Sequence, residues 1–368
     1  MKKSLIALAI ASAVSAPAFA ATANVDIYGV LNMSMNFFDN QLEGTVDGSK
    51  VGGADWQFSS NASRIGFKGA EDLGGGLTAI WQIESTVNLD EGKNGNTFAT
   101  RNSFVGLKGN FGTALIGRHD TPFKLVGRAV DLFGDTIADS RNLMGFSTSA
   151  FKIAGEEFDL ATSDMRADNV VAYISPNWTG FSFAAAYSTD PVSSNSSAPD
   201  QIDMSVYSLN ATYTNGGLYL GGAYSDGDAL EALGQDDNWR LAAGFTFGAF
   251  KIVGQYDQYN ADDTNTVLDL DDYSAWMVGG AWTMGNFVFK GNYISGEFDG
   301  ADNTELEQWA LGADYNLSKR TSVYALYVDG QNAALGWGAG ASDVNLPNYL
   351  DGNNEDIAAI SVGVKHSF

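Results

Sequence analysis

Between Leu306 and Leu317 the side chains alternate strictly: Trp309, Leu311, Ala313, Tyr315 and Leu317 share one parity, and Gln308, Ala310, Gly312, Asp314 and Asn316 share the other. Successive side chains of an extended strand point to opposite faces, so this pattern builds a two-faced strand. It recurs where Trp239, Leu241, Phe245 and Phe247 oppose Arg240, Ala242, Gly244 and Thr246, and again over Ile357–Phe368. Nothing later in the chain approaches the roughly 20 apolar residues of a transmembrane helix. Lipid offers no partner to an unpaired backbone group, so a chain of such strands enters a bilayer only as a closed barrel. A barrel turns the apolar face to lipid and the polar face to water, whereas a soluble sandwich buries the apolar face in a core.

Connection lengths favour the barrel. Candidate strands lie near 25–38, 56–70, 77–89, 97–109, 113–119, 165–175, 181–189, 204–214, 218–225, 238–247, 250–259, 273–284, 287–297, 306–316, 321–329 and 357–368, which makes sixteen. Tight turns such as Asn110-Phe111-Gly112, Asn215-Gly216-Gly217, Gly248-Ala249 and Gly285-Asn286 alternate with long polar segments such as 39–55, 190–203 and 330–356. Short turns at one rim and long loops at the other are an outer-membrane arrangement. Aromatic residues near strand ends, among them Trp56, Trp178, Trp239, Trp276, Trp282 and Phe287, suit girdles at the two bilayer interfaces. The reading is an all-β, 16-stranded antiparallel transmembrane barrel.

One connection breaks the rhythm. From about 120 to 164 the chain carries no strand pattern, yet it holds Phe123, Leu125, Val126, Leu132, Phe133 and Ile137. A structureless connection of this length is commonly functional or disordered, and a disordered one would be poorer in apolar residues. It is expected to fold into the lumen as the third long loop and to narrow the pore.

The 368 residues carry a net charge of -24 and no Cys, which excludes thiol and disulfide chemistry. Lys2-Lys3, the apolar run from Leu5 to Ala16, and Ala18-Phe19-Ala20 read as a secretory leader over 1–20, with one barrel domain over 21–368. Loss of those two lysines and no acid would take the charge from -24 to -26. So acidic a chain has nothing with which to neutralise nucleic-acid phosphates. Its acids cluster at 226–237, 261–272 and 351–356, as a solvated face or as a surface bridged by divalent cations to lipopolysaccharide and other anionic lipid headgroups. No cofactor or metal motif is present.

The order and spacing of several short motifs carry a resemblance: Val25-Asp-Ile-Tyr-Gly29, Ser63-Arg-Ile-Gly-Phe-Lys-Gly69, Arg101-Asn-Ser-Phe-Val-Gly-Leu-Lys-Gly109, Gly117-Arg118, 169–176 followed by Gly180-Phe-Ser-Phe183, and Val364-Lys-His-Ser-Phe368. Together they resemble the trimeric general diffusion porins of Gram-negative outer membranes. That resemblance implies a homotrimer in the outer membrane, passing small hydrophilic solutes and ions by passive diffusion. It also implies a third loop whose acids face a ladder of wall bases, and a C-terminal aromatic assembly signal at Phe368. Carried onto this sequence, the wall bases are Arg64, Arg101, Arg118 and Arg166, and the loop acids are Asp131, Asp135 and Asp139. Alternation independently supports Arg64, which opposes Ile65 and Phe67, and Arg101, which shares a face with Ser103 while Phe104 lies on the other. The inward direction of Arg118 and Arg166 rests on the resemblance, since both their neighbourhoods are apolar on either parity.

Charge balance does not fix ion preference, although abundant acid favours cations if it lines the vestibule. Two other readings are a β-barrel enzyme of the outer membrane and a secreted adhesin. The enzyme needs a base beside a nucleophile, and His119 and His366 are the chain's two histidines, with no spaced constellation around either. The expected protein is therefore not an enzyme.

Overall fold

The computed structural model describes residues 24–40, 44–46, 49–51, 55–90, 98–145, 152–153, 156–157, 163–191, 205–231, 235–261, 272–299, 305–331 and 356–368. The leader expected at 1–20 and most of the acid-rich segments at 261–272 and 351–356 lie outside them.

Sixteen strands form the wall. They are β1 (Asn24–Asn40), β2 (Asp55–Ser60, resuming as Arg64–Gly74), β3 (Leu77–Thr86), β4 (Ser103–Gly109), β5 (Gly112–Asp120), β6 (Arg166–Ile174), β7 (Phe181–Ser188) and β8 (Val206–Asn215). The second half comprises β9 (Leu218–Asp226), β10 (Gln235–Phe247), β11 (Phe250–Ala261), β12 (Tyr273–Met284), β13 (Phe287–Phe298), β14 (Leu306–Asn316), β15 (Thr321–Gln331) and β16 (Asp356–Ser367). Each pairs antiparallel with its neighbours in sequence, and β1 pairs with β16 from Val30↔Ser367 to Asn40↔Ile357, closing the sheet. A closed sheet has no edge left to pair with another chain. Among the described residues, no helix is long and apolar enough to cross a membrane.

The alternation seen in the sequence becomes two surfaces. Leu241, Phe245, Ile252, Trp276, Val278, Leu311, Ile360, Val362 and Val364 are exposed on the outside, while Arg240, Gln255, Asp257, Gln308 and Ser361 are buried on the inside. Large apolar groups facing outward and charges facing inward invert a soluble protein and match a lipid-facing wall. Near the tight turns, a file of stacked rings runs through Phe245, Phe247, Phe250, Trp282, Phe289 and Phe287. Near the opposite rim, Trp239–Tyr256, Trp276–Tyr293 and Trp309–Tyr327 repeat one pairing at 5.2, 5.3 and 5.1 Å between ring centroids. Trp276 and Trp282 thus carry both girdle levels on one strand.

Two strand expectations need correcting. The strand expected over 56–70 is interrupted at Asn61–Ser63: Ser60 pairs with Met33 and Arg64 with Val30, so β2 holds one residue more than β1 across that step. Ala62 takes φ 49°, and the Ser63 hydroxyl accepts from Asn32 N at 2.9 Å, splicing the bulge into the ladder. An extra residue reverses the alternation. Trp56 and Phe58 therefore face outward before the bulge, and Ile65 and Phe67 after it, which leaves Arg64 on the inner parity. The strand expected over 97–109 begins only at Ser103. Ala99 at φ 69° turns the chain, and the Ala99 and Arg101 amides donate to Ser85 Oγ (2.7 Å) and the Glu84 carbonyl (2.9 Å) of β3.

Between β5 and β6, helix α1 (Pro122–Arg128) starts from Thr121, whose hydroxyl accepts from Lys124 N at 3.2 Å, with Pro at the first helical position. Phe123, Val126, Val130, Phe133 and Ile137 from this connection are fully buried. The first three pack with Tyr219, Ala242, Val253 and Met277, and the last two with Ala310, Leu326, Val328 and Ala359. Those partners share the inner parity of β9–β12 and β14–β16. Each such apolar side chain contributes about 2 kcal/mol by leaving water.

Candidate pore constriction

At the neck of the connection, Asp120 joins two bases. Arg166 Nη2 stands 3.0 Å and Lys124 Nζ 3.1 Å from its Oδ1, while Asn102 bridges the same carboxylate and Arg166 Nε. Burial pushes the Lys124 ammonium down to about 8, against the attraction of Asp120.

Further along, three acids gather around one arginine. Arg128 meets Asp135 at 2.8 Å, Asp139 at 2.9 Å and Asp131 at 3.4 Å. Asp139 also takes Arg141 Nε at 2.9 Å and accepts the Asp135 amide. From the wall, Arg64 Nη1 reaches Asp135 Oδ2 at 3.4 Å and Lys365 Nζ approaches it at 3.9 Å. The Asn32 amide group holds the Asp135 carbonyl at 2.6 Å. Burial alone would raise the Asp135 carboxyl, but Arg128, Lys365 and Arg64 hold it well below the usual carboxylate range. Asp139 is likewise held down against burial by Arg141 and Arg128. Asp131 goes the other way: burial, and then the Asp139 charge, push it up to about 7. Its side chain is only 1% exposed and accepts the Phe133 amide at 2.9 Å, so it is interior to the connection.

The other sequence-selected bases are placed differently from one another. Arg101 Nε bonds Glu84 Oε1 at 2.6 Å, and Glu84 also accepts from the Tyr28 hydroxyl at 2.9 Å. Burial, then Arg166 and Arg64, push the Arg101 guanidinium below its ordinary range, so these three arginines sit within reach of one another's fields. Arg118 follows the outward parity of Ile116 and pairs with Asp168, beside the bulge between Ala167 and Val170. Its partners are therefore not the acids of the connection. Phe368 exchanges both backbone hydrogen bonds with Gly29, at 3.2 and 3.1 Å.

Four bases escaped the sequence reading, Lys124, Arg128, Arg141 and Lys365, as did the acids Glu84 and Asp120. The first three lie in the connection with no periodicity to orient them. Lys365 could have been found, because it opposes Val364 in a strictly alternating strand.

The sequence pattern of the Gram-negative porins matches residues 7–335. The chain belongs to this family. Outer membrane porin protein 32 of Delftia acidovorans is 29% identical over 376 residues, spanning 100% of both chains. Among solved structures, an anion-selective porin from Comamonas acidovorans superposes with a TM-score of 0.73 at 24% identity, covering 94% of this chain and all of its own. A trimer form of OmpT, an outer membrane protein of Vibrio cholerae, gives 0.61 at 17% identity over 94% of this chain and 99% of that one. At these identities the solved structures speak to the fold. Family and relatives make this porin an outer-membrane channel of a Gram-negative bacterium, passing small hydrophilic solutes by passive diffusion.

Proposed function

We propose that residues 121–165 form the constriction of this porin, and that the constriction favours anions. The carrying observation is the excess of base where the connection meets the wall. Arg64, Arg101, Arg166, Arg240 and Lys365 from the wall side, with Lys124, Arg128 and Arg141 from the connection, outnumber Glu84, Asp120, Asp131, Asp135, Asp139, Asp164 and Asp257. A neutral form of Asp131 near pH 7 widens that excess. Charges at a narrow point outweigh distant ones, which salt screens beyond roughly 8 Å. The preference therefore reverses the one that the acidic composition favours, and agrees in sign with the anion-selective porin from Comamonas acidovorans. A reversal potential measured across a salt gradient tests it, and a cation-selective sign would overturn it.

Arg64, Arg101 and Arg166 act in this reading as the wall ladder, with Asp135 and Asp139 opposite. Asp131 tunes the loop from inside, and Arg118 serves at the rim. Phe368 is the assembly signal, supported by its place in the closing seam. The porin works as a homotrimer joined through its outer wall, a reading supported by the trimer form of OmpT and by the outward Trp56 and Phe58. Carboxylates beside the rim tyrosines, such as Glu307 at 2.6 Å from the Tyr293 hydroxyl, suit contact with lipopolysaccharide through divalent cations. Passage involves no bond-making step. His119 lies against the Phe104 ring at 5.5 Å and His366 bonds Thr321 Oγ1 at 2.9 Å, contacts that suit structural roles.

A further inference from the structure

Arg240 sits in the middle of β10, fully buried on the inner wall, and its guanidinium gathers three distant points of the connection. Nε and Nη2 fork onto the Asp257 carboxylate of β11 at 2.8 and 2.6 Å. The remaining donors reach the Phe123 carbonyl at 3.3 Å, Asp164 Oδ1 at 3.2 Å and the Met144 carbonyl at 2.7 Å. The guanidinium carbon also stands 4.3 Å from the centre of the Phe123 ring. Helix start, mid-loop turn and return to the wall thus converge on one side chain. Gly127 permits the approach, since a Cβ there would lie 2.5 Å from Arg240 Nη1.

Beside the apolar packing of Val126 and Val130, single hydrogen bonds also join this part of the wall to the connection: Asn210 to the Pro122 carbonyl at 2.8 Å, Asn238 to Ser163 Oγ at 2.6 Å, Tyr259 to the Met144 carbonyl at 2.8 Å and Tyr273 to the Leu143 carbonyl at 3.0 Å. Each of these holds one point of the connection, whereas Arg240 holds three at once and carries the charge that two carboxylates need. A planar guanidinium with five donors fixes position. It also neutralises two buried carboxylates, one on the connection and one on the wall. Without it, Asp164 and Asp257 would repel each other across the joint they now close.

We propose that Arg240 is the positioning residue that locks the connection in its seated place and keeps the channel steadily open. This rests on the reading of 121–165 as the constriction. The test is single-channel recording of the purified porin in a planar bilayer, comparing wild type with R240K, R240Q and R240Q/D257N, and with D135N as a control on that reading. R240Q leaves buried carboxylates unpaired and should close at least roughly tenfold more often than wild type. R240K keeps the charge but loses the fork and should fall between the two. R240Q/D257N removes the repulsion and should move back toward wild type. Wild-type closing in R240Q and R240K, with D135N still shifting selectivity, would overturn the role of Arg240 alone. Should D135N also leave the currents unmoved, the reading of the connection as the constriction falls with it. If R240Q yields no folded barrel by heat-modifiable gel mobility, wild-type closing in R240K alone overturns the proposal.

Discussion

Arg64 Nη1 stands 3.4 Å from Asp135 Oδ2, across 71 residues of sequence, and ties a base of β2 to the connection between β5 and β6. Arg64 is the more open of the two, with 22% of its side chain exposed against 9% for Asp135.

Neutralising either member should move ion preference in opposite senses. A unit charge lining a water-filled passage acts on a nearby ion by roughly 1 kcal/mol, which corresponds to about fivefold in a permeability ratio. Arg64→Gln should shift the reversal potential toward cations, and Asp135→Asn should shift it toward anions by a similar amount.

Selectivity should also depend on pH. Asp131 loses its proton near 7 and Lys124 loses its charge near 8, so both steps make the lumen less positive as pH rises. Anion preference should therefore fall between pH 6 and 9, and Asp131→Asn should remove the lower step; reversal potentials at each pH would show it. Stability follows the same carboxyl. Asp131 keeps in the folded state a proton that the unfolded chain releases near 3.9, so its contribution is lost as pH rises from about 4 to about 7. Asp131→Asn should flatten that part of a denaturation profile measured in detergent.

The bulge in β2 gives a geometric test. Deleting Ala62 would restore the two-residue period with Phe58 still outward and Arg64 still opposite Val30 on the inner parity, because the lost residue and the lost reversal cancel. Folded barrel should therefore still be recovered, as heat-modifiable gel mobility would show. Ala62→Gly keeps the bulge and relieves the left-handed backbone at φ 49°, and should stabilise the porin by about 1 kcal/mol in urea unfolding.

At the seam, a methyl group on Gly29 would stand 2.5 Å from the Phe368 ring and 2.6 Å from the Arg64 carbonyl. Gly29→Ala should cost about 1 to 3 kcal/mol through overpacking, seen as a lower temperature for loss of the compact gel band. Shortening Phe368 to Ala in the same background should restore part of it, since the ring is the nearer obstacle.

Strand positions were legible wherever one face met lipid and the other water. The expected strands at 273–284 and 306–316 coincide with β12 and β14, because alternation and a tight turn fix register together. Sequence reading failed where the backbone leaves that period. Nothing in Asn61-Ala62-Ser63 announces a bulge, and Ala99 is no residue from which to expect a left-handed turn. Arg128 and Arg141 were invisible for a different reason: their partners are set by the path of an irregular connection. Arg240 was visible as a polar-face residue, but its meeting with Asp164 depends on where the chain returns.

The seam between β1 and β16 makes the porin a ring whose first and last strands are joined. Gly29 and Phe368 lie almost a full chain length apart, the most non-local kind of contact, and such contacts form late and slowly. Lys365, one of the bases facing Asp135, belongs to that last strand. The electrostatic character of the passage is thus completed by the same event that seals the wall, and an unfinished chain lacks both the wall and the charge that defines it.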